Sequence, residues 1–351
     1  MESKVPETGK GMQREPGIWE TMKELLLGVR RPLHCIQVGV SSRCVGRCTY
    51  CPHTILRERW IDGDMDMDTF SRLWPLMRRS SRVHLQGWGE PLLNPAFFEM
   101  TALARRAGCA VSTTTCGLQV DEETASRIVD SGMDIIAFSL AGTDDKSNAS
   151  RRGISFQQVC DAVKLLQMVR RRKAGVHLEI HFAYLLLASN IDAVRGLPRI
   201  MGELGVHAAV VSTLDYIPHP ALVQEGFGPN EVQKIANARR VLQETAREAH
   251  RLGRDFHWAL PFADNPGTVC REDMTRSLYV SWDGSVSPCV YLNLPAEGLD
   301  DVTCIFGNVR DENPLEIWER TEYSHFRNRL ATSDPDPFCR DCVKRFESVE
   351  S

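Results

Sequence analysis

Between Leu33 and Leu214 short apolar, β-like runs alternate with longer amphipathic stretches of helical period, which confines the chain to an α/β architecture. The strand candidates are Ile36–Val40, Val83–Gln86, Ala110–Thr114, Asp134–Leu140, His177–Leu186 and Ala208–Thr213. Helical ends between them are marked. Asn94 before Pro95 reads as an N-cap followed by a helix-starting proline, and Asp121 as the cap of a helix stopping at Gly132. The basic run Arg170–Lys173 before Gly175 reads as a solvated last turn rather than an anion site. A doubly wound sheet and an open or closed barrel share this pattern. In each, ligands sit at the carboxyl ends of the strands.

After Pro218 the character changes. A long helix from Pro229 to about Leu252 leads to a hairpin, Leu278–Trp282 and Ser285–Val290, joined at Asp283-Gly284. The last hundred or so residues therefore read as a separate, smaller, loop-rich domain. The net charge of −4 over 351 residues predicts no nucleic-acid partner. The longest apolar run, around Phe182–Ala188, predicts no membrane span, and with a polar start to the chain a cytoplasmic location is expected.

Twelve cysteines depart from background, and they cluster at metal-ligand spacings. Cys44, Cys48 and Cys51 form a Cys-x3-Cys-x2-Cys run just after the first strand candidate. Three thiolates on one loop can hold a four-iron cluster with one iron left open, whereas four would make an electron carrier. The competing reading is a Cys3His zinc site with His53 as fourth ligand.

This spacing, Tyr50 before the third cysteine, and Gly87-Trp88-Gly89-Glu90-Pro91 after the second strand together resemble the radical S-adenosylmethionine (SAM) superfamily. The resemblance spans residues 33 to 345 or so. It implies a partial (β/α)6 TIM-like barrel. It also implies a 4Fe-4S cluster on Cys44, Cys48 and Cys51 whose open iron is chelated by SAM. Reductive cleavage then yields methionine and a 5′-deoxyadenosyl radical. By the same resemblance, Trp88, Gly89 and Glu90 meet the methionine amino group, Ser139 contacts the ligand, and Arg152 pairs with its carboxylate. Arg151 is the alternative to Arg152. At Thr115-Cys116-Gly117 the family often carries Thr-Asn-Gly, so Cys116 stands where an amide is expected.

The C-terminal region holds Cys270-x13-Gly284-x4-Cys289 and Cys339-Arg-Asp-Cys342, four thiols in two groups. Such a set suits a closed 4Fe-4S centre or a zinc site. It resembles the auxiliary-cluster domain of the SPASM and twitch subgroups, down to Phe306-Gly307-Asn308-Val309, and implies one auxiliary cluster. Cys304 has no assigned role, and Cys35, Cys109 and Cys160 read as core thiols.

The resemblance divides the chain into an N-terminal extension (1–32), a radical SAM core (33–218), a linking helix and strand (219–260) and an auxiliary-cluster domain (261–351). It implies an enzyme that modifies a peptide or protein, or matures a metalloenzyme cofactor, supplied by a low-potential donor such as ferredoxin or flavodoxin. The metalloenzyme-maturase branch is the one the motif phrasing suggests. The alternative is a non-enzymatic zinc or iron–sulfur regulatory protein.

Overall fold

The computed structural model describes residues 32–261, 270–330, 332 and 334–350. The expected N-terminal extension lies outside them except for Pro32. Eleven strands form one sheet: β1 (Leu33–Val38), β2 (Ser80–Leu85), β3 (Ala110–Thr115), β4 (Ile135–Leu140), β5 (Glu179–Leu186), β6 (Ala208–Thr213), β7 (Asp255–Pro261), β8 (Ser277–Val280), β9 (Ser285–Ser287), β10 (Gly307–Asn308) and β11 (Glu347–Glu350). Their spatial order is β10-β9-β8-β1-β2-β3-β4-β5-β6-β7-β11. Strands β1 to β7 run parallel to one another, in chain order, and β11 pairs antiparallel with β7. Among the described residues the edge strands β10 and β11 do not pair with each other, so the barrel is open, as expected.

Strands β2 to β5 alternate most clearly between a buried and a less buried face. Ile36, Val38, Val83, Leu85, Ile136, Phe138, Phe182 and Leu186 are buried on one face. Their removal from water contributes about 1.5–3 kcal/mol apiece. The opposite face is polar and half-buried. There His84 Nδ1 lies 2.8 Å from Ser112 Oγ and His84 Nε2 lies 2.6 Å from Gln86 Oε1, while Gln37 Nε2 donates to the Gln86 carbonyl at 3.0 Å.

Helix ends follow local chemistry. Asp121 accepts from Thr124 N and caps Glu122–Asp130, as expected. Ser155 and Gln158 form a reciprocal capping box at the head of Phe156–Arg171. Asn94 differs from expectation. The helix starts at Phe97, while Asn94 accepts from Ala96 N and donates to the carbonyls of Val40 and Met65. Its amide ties loops together, which outweighs a simple cap. The basic run does settle in a last turn, where Arg170 donates to the Leu178 carbonyl, Arg172 pairs with Glu122 at 3.0 Å and Lys173 with Asp130.

The C-terminal segment is not a detached unit. Strand β8 pairs parallel with β1, with Gln37 opposite Tyr279, and carries antiparallel β9 and β10 at the sheet edge. Leu278, Val280, Ile317 and Tyr323 belong to the same contiguous core as Ile36 and Phe70. The Asp283-Gly284 turn forms as expected, with Gly284 at φ +89°. The strand expected in the linking segment is β7, and it joins the sheet as a seventh parallel strand beside β6.

Candidate functional site

The loop after β1 carries Cys44, Cys48 and Cys51. Its Arg47–Cys48 segment pairs antiparallel with Arg151–Arg152, placing Arg151 directly opposite Cys48. Cys51 heads the short helix Pro52–Ile55, its carbonyl accepting from Thr54 and Ile55 N–H. Burial pushes Cys44 up to about 11 and Cys51 up to about 12, and neighbouring thiols add to both. Such thiols stay protonated at neutral pH unless a metal displaces the proton.

His53 is engaged with other partners. It is 5% exposed, with Nε2 3.4 Å from Arg57 and 3.8 Å from Asp62, and its ring meets Trp60 edge-on. Burial and Arg57 lower its pKa against the pull of Asp62. The expected zinc alternative loses its fourth ligand.

Arg152, the arginine first assigned to the ligand carboxylate, is exposed. Arg151 is the buried one, and its Nε has no hydrogen-bond partner. Burial opposes its charge, but Tyr50, Cys48, Cys116 and Cys44 outweigh that and hold its proton more firmly. A buried guanidinium with an unsatisfied Nε, among thiols, fits an anionic cluster, or a ligand carboxylate, beside it. The donor set therefore fits the cluster that the motif implies.

The Gly87–Glu90 segment follows β2. A Cβ on Gly89 would lie 2.4 Å from the Ser41 carbonyl oxygen and 2.6 Å from that of Arg43, so only glycine fits. Glu90 is 2% exposed and accepts from Leu92 N (3.2 Å), Thr115 Oγ1 (2.7 Å) and Cys116 N (2.7 Å). It ties the ends of β2 and β3 together. Cys116 thus stands beside Glu90, with its thiol 3.6 Å from Gln119 Oε1. Ser139 lies near the carboxyl end of β4, on the polar face. A cavity of about 490 Å3 opens between the segments after β4 and β5, lined by Asp144, Ser147, Ser150, Leu187, Ser189 and Asn190. It borders the cysteine loop, since the Ser150 carbonyl accepts from Thr49 N at 2.8 Å.

The second set gathers from distant segments. Cys270 precedes β8, Cys289 follows β9, and Cys339 and Cys342 flank one turn with Cys342 N donating to the Cys339 carbonyl. Burial pushes Cys270 and Cys339 up to about 12, and in each the Cys342 thiol adds to the rise. Cys304 also rises to about 12 and acts on Cys339, so it stands at the margin of this group. Among the described residues no three His, Cys, Asp or Glu side chains converge closely enough for a single metal ion. A four-iron cube takes its thiolates farther apart than one ion does.

Sequence reasoning missed one feature. Lys344 Nζ lies 2.7 Å from Asp215 Oδ2 and 3.3 Å from Glu272 Oε1, in a buried cluster beside the distal cysteines. Its signal was the position of Glu272 and Lys344 two residues after Cys270 and Cys342.

Residues 38–182 match the radical SAM superfamily, and residues 270–343 match an iron–sulfur cluster-binding domain of the SPASM type. The tungsten-containing aldehyde ferredoxin oxidoreductase cofactor-modifying protein of Pyrococcus furiosus is 26% identical over 88% of this chain and 87% of its own. The PqqA peptide cyclase of Gluconobacter oxydans is 25% identical over 87% of this chain and 81% of its own. Among solved structures, SuiB of Streptococcus suis bound to S-adenosylmethionine superposes with a TM-score of 0.66 at 14% identity, covering 92% of this chain and 74% of that one. No helix among the described residues is long and apolar enough to cross a membrane. The chain therefore carries a radical SAM domain, which takes a 4Fe-4S cluster and SAM, followed by an iron–sulfur cluster-binding domain of the SPASM type.

Proposed function

We propose that this enzyme cleaves SAM reductively to modify a peptide or protein, or to mature a metalloenzyme cofactor. The observation that carries this reading is Arg151, buried with an unsatisfied Nε, opposite Cys48 in the three-cysteine loop. When bound, the first cluster would supply the electron that splits SAM into methionine and the 5′-deoxyadenosyl radical. Cys44, Cys48 and Cys51 would hold it, and Cys270, Cys289, Cys339 and Cys342 would hold the auxiliary cluster. Arg151 would pair with the SAM carboxylate. The backbone of Trp88 and Gly89 would meet the amino group, and Glu90 would keep that loop in place. Tyr50 would close the loop from one side and Ser139 would contact the ligand. The relatives named for peptide cyclisation and for tungsten-cofactor modification support the substrate class. A ferredoxin or flavodoxin would deliver the electron.

Two variants test the contacts. Arg151→Gln is expected to weaken SAM binding about tenfold or more, by loss of a charge-assisted hydrogen bond, while Arg152→Gln leaves it unchanged. The reverse order, read by equilibrium dialysis, would return the role to Arg152. Glu90→Gln sets an amide N–H2 against donors that need acceptors, costing about 1–3 kcal/mol. Its melting temperature and SAM affinity should fall together, and unchanged values would remove Glu90 from the site.

The function itself is tested by anaerobic incubation of reduced, reconstituted enzyme with SAM. Formation of 5′-deoxyadenosine is expected, rising when the target peptide or cofactor precursor is supplied. Assembled clusters that yield none would contradict the reading.

A further inference from the structure

The two cysteine sites are joined by a continuous chain of buried and half-buried contacts. Each of three distal cysteines is followed two residues later by a member of it: Glu272 after Cys270, Tyr291 after Cys289, Lys344 after Cys342. The Lys344 and Asp215 side chains are 5% and 3% exposed, and that of Glu272 30%. Asp215 lies two residues past β6, where Thr213 donates to its other oxygen at 2.6 Å. This hydroxyl and the ammonium fix the carboxylate from two sides.

From Asp215 the chain turns toward the first site. The Tyr291 hydroxyl donates to Asp215 Oδ2 at 3.4 Å, and Lys344 Nζ lies 5.9 Å from the Tyr291 ring centre. The Trp88 indole meets Tyr291 edge-on at 5.9 Å and Tyr216 at 5.8 Å. Trp88 Nε1 also donates to the Val290 carbonyl at 3.0 Å, next to Cys289. The next residue, Gly89, is wedged against the carbonyls of Ser41 and Arg43, and Glu90 N donates to the Arg43 carbonyl at 2.8 Å. Arg43 adjoins Cys44. A shift of the indole must therefore move the segment that faces the first cysteine loop.

We propose that Lys344 and Trp88 are positioning residues, through which the packing of the distal cysteine site sets SAM affinity at the first site. The inference rests on the reading of Gly87–Glu90 as the SAM-binding segment. A buried ion pair is a weak stabiliser, because desolvation offsets most of its attraction, but it fixes geometry. Here it pins three ligand-bearing segments to β6. The indole, bonded at one end to Val290 and continuous at the other with Gly89, carries that geometry across.

A double-mutant cycle on the enzyme carrying both clusters tests this. SAM dissociation constants are measured by equilibrium dialysis for wild type, Lys344→Gln, Trp88→Phe and the pair, with iron content checked in each. Lys344→Gln removes a charge far along the chain from the SAM segment, and Trp88→Phe keeps an aromatic ring but loses the N–H. Each single change is expected to weaken SAM binding on the order of fivefold, and the pair by no more than the larger single, because contacts in one network are not additive. Losses that multiply, or an unchanged affinity in Lys344→Gln, would overturn the inference. If Lys344→Gln fails to assemble, Tyr291→Phe replaces it in the same cycle, removing only a hydroxyl, and the same two outcomes decide. Wild type that binds no SAM would overturn the function and this inference together. SAM binding without coupling would overturn this inference alone.

Discussion

Replacing Cys44, Cys48 and Cys51 together by alanine is expected to lower iron from about eight atoms per chain to about four and to abolish 5′-deoxyadenosine formation. The three thiols share one loop, and Cys48 faces Arg151 across a two-residue ribbon. Neither neighbouring donor is expected to replace them: Cys116 is engaged with Gln119, and His53 is held among Arg57, Asp62 and Trp60. The remaining irons would belong to the distal set on Cys270, Cys289, Cys339 and Cys342. Deoxyadenosine formed at the wild-type rate by the triple variant would sink the assignment of this loop. An iron content that falls to zero would instead show that the distal cysteines hold no cluster.

The complementary change gives a different pattern. Serine at Cys270, Cys289, Cys339 and Cys342 is expected to remove about four irons while SAM cleavage persists with weakened affinity. Amide exchange then separates two parts of the C-terminal segment. The turn from Cys339 to Cys342 rests on few backbone hydrogen bonds and should lose protection. Strand β8 should keep it, because Leu278 and Val280 pair with β1 and sit in the common core. Uniform loss of protection from Cys270 onward would contradict this division. A stoichiometric zinc content with no distal iron in the wild type would make the region a structural zinc module.

Much of this was legible in the sequence, for physical reasons. Parallel strands covered on one face by helices need continuous apolar spacing, so Val83, Val111, Ile136 and Ile180 announced their strands. Cap chemistry is local, which is why Asp121 was readable. Asn94 was not, because its amide is claimed by Val40 and Met65 from loops far away in sequence. The choice between Arg151 and Arg152 depended on the phase of a two-residue ribbon, and adjacent strand residues face opposite ways. Only the pairing with Cys48 sets that phase. The separate C-terminal domain expected from the change in composition instead continues the main sheet through β8, because a parallel pairing across some 240 residues leaves no local sequence trace. The Asp215–Lys344–Glu272 cluster left only a faint trace, the spacing of Glu272 and Lys344 from Cys270 and Cys342, because Asp215 reaches them from a segment far away in sequence.

The central claim is that the three-cysteine loop holds a cluster with one open iron that takes SAM. The most direct measurement is the Mössbauer spectrum of the distal-cysteine serine variant, enriched in iron-57, recorded with and without SAM. The account predicts four irons, one of which changes its parameters when SAM is added while three do not. Four irons that all remain unchanged on addition of SAM would contradict it.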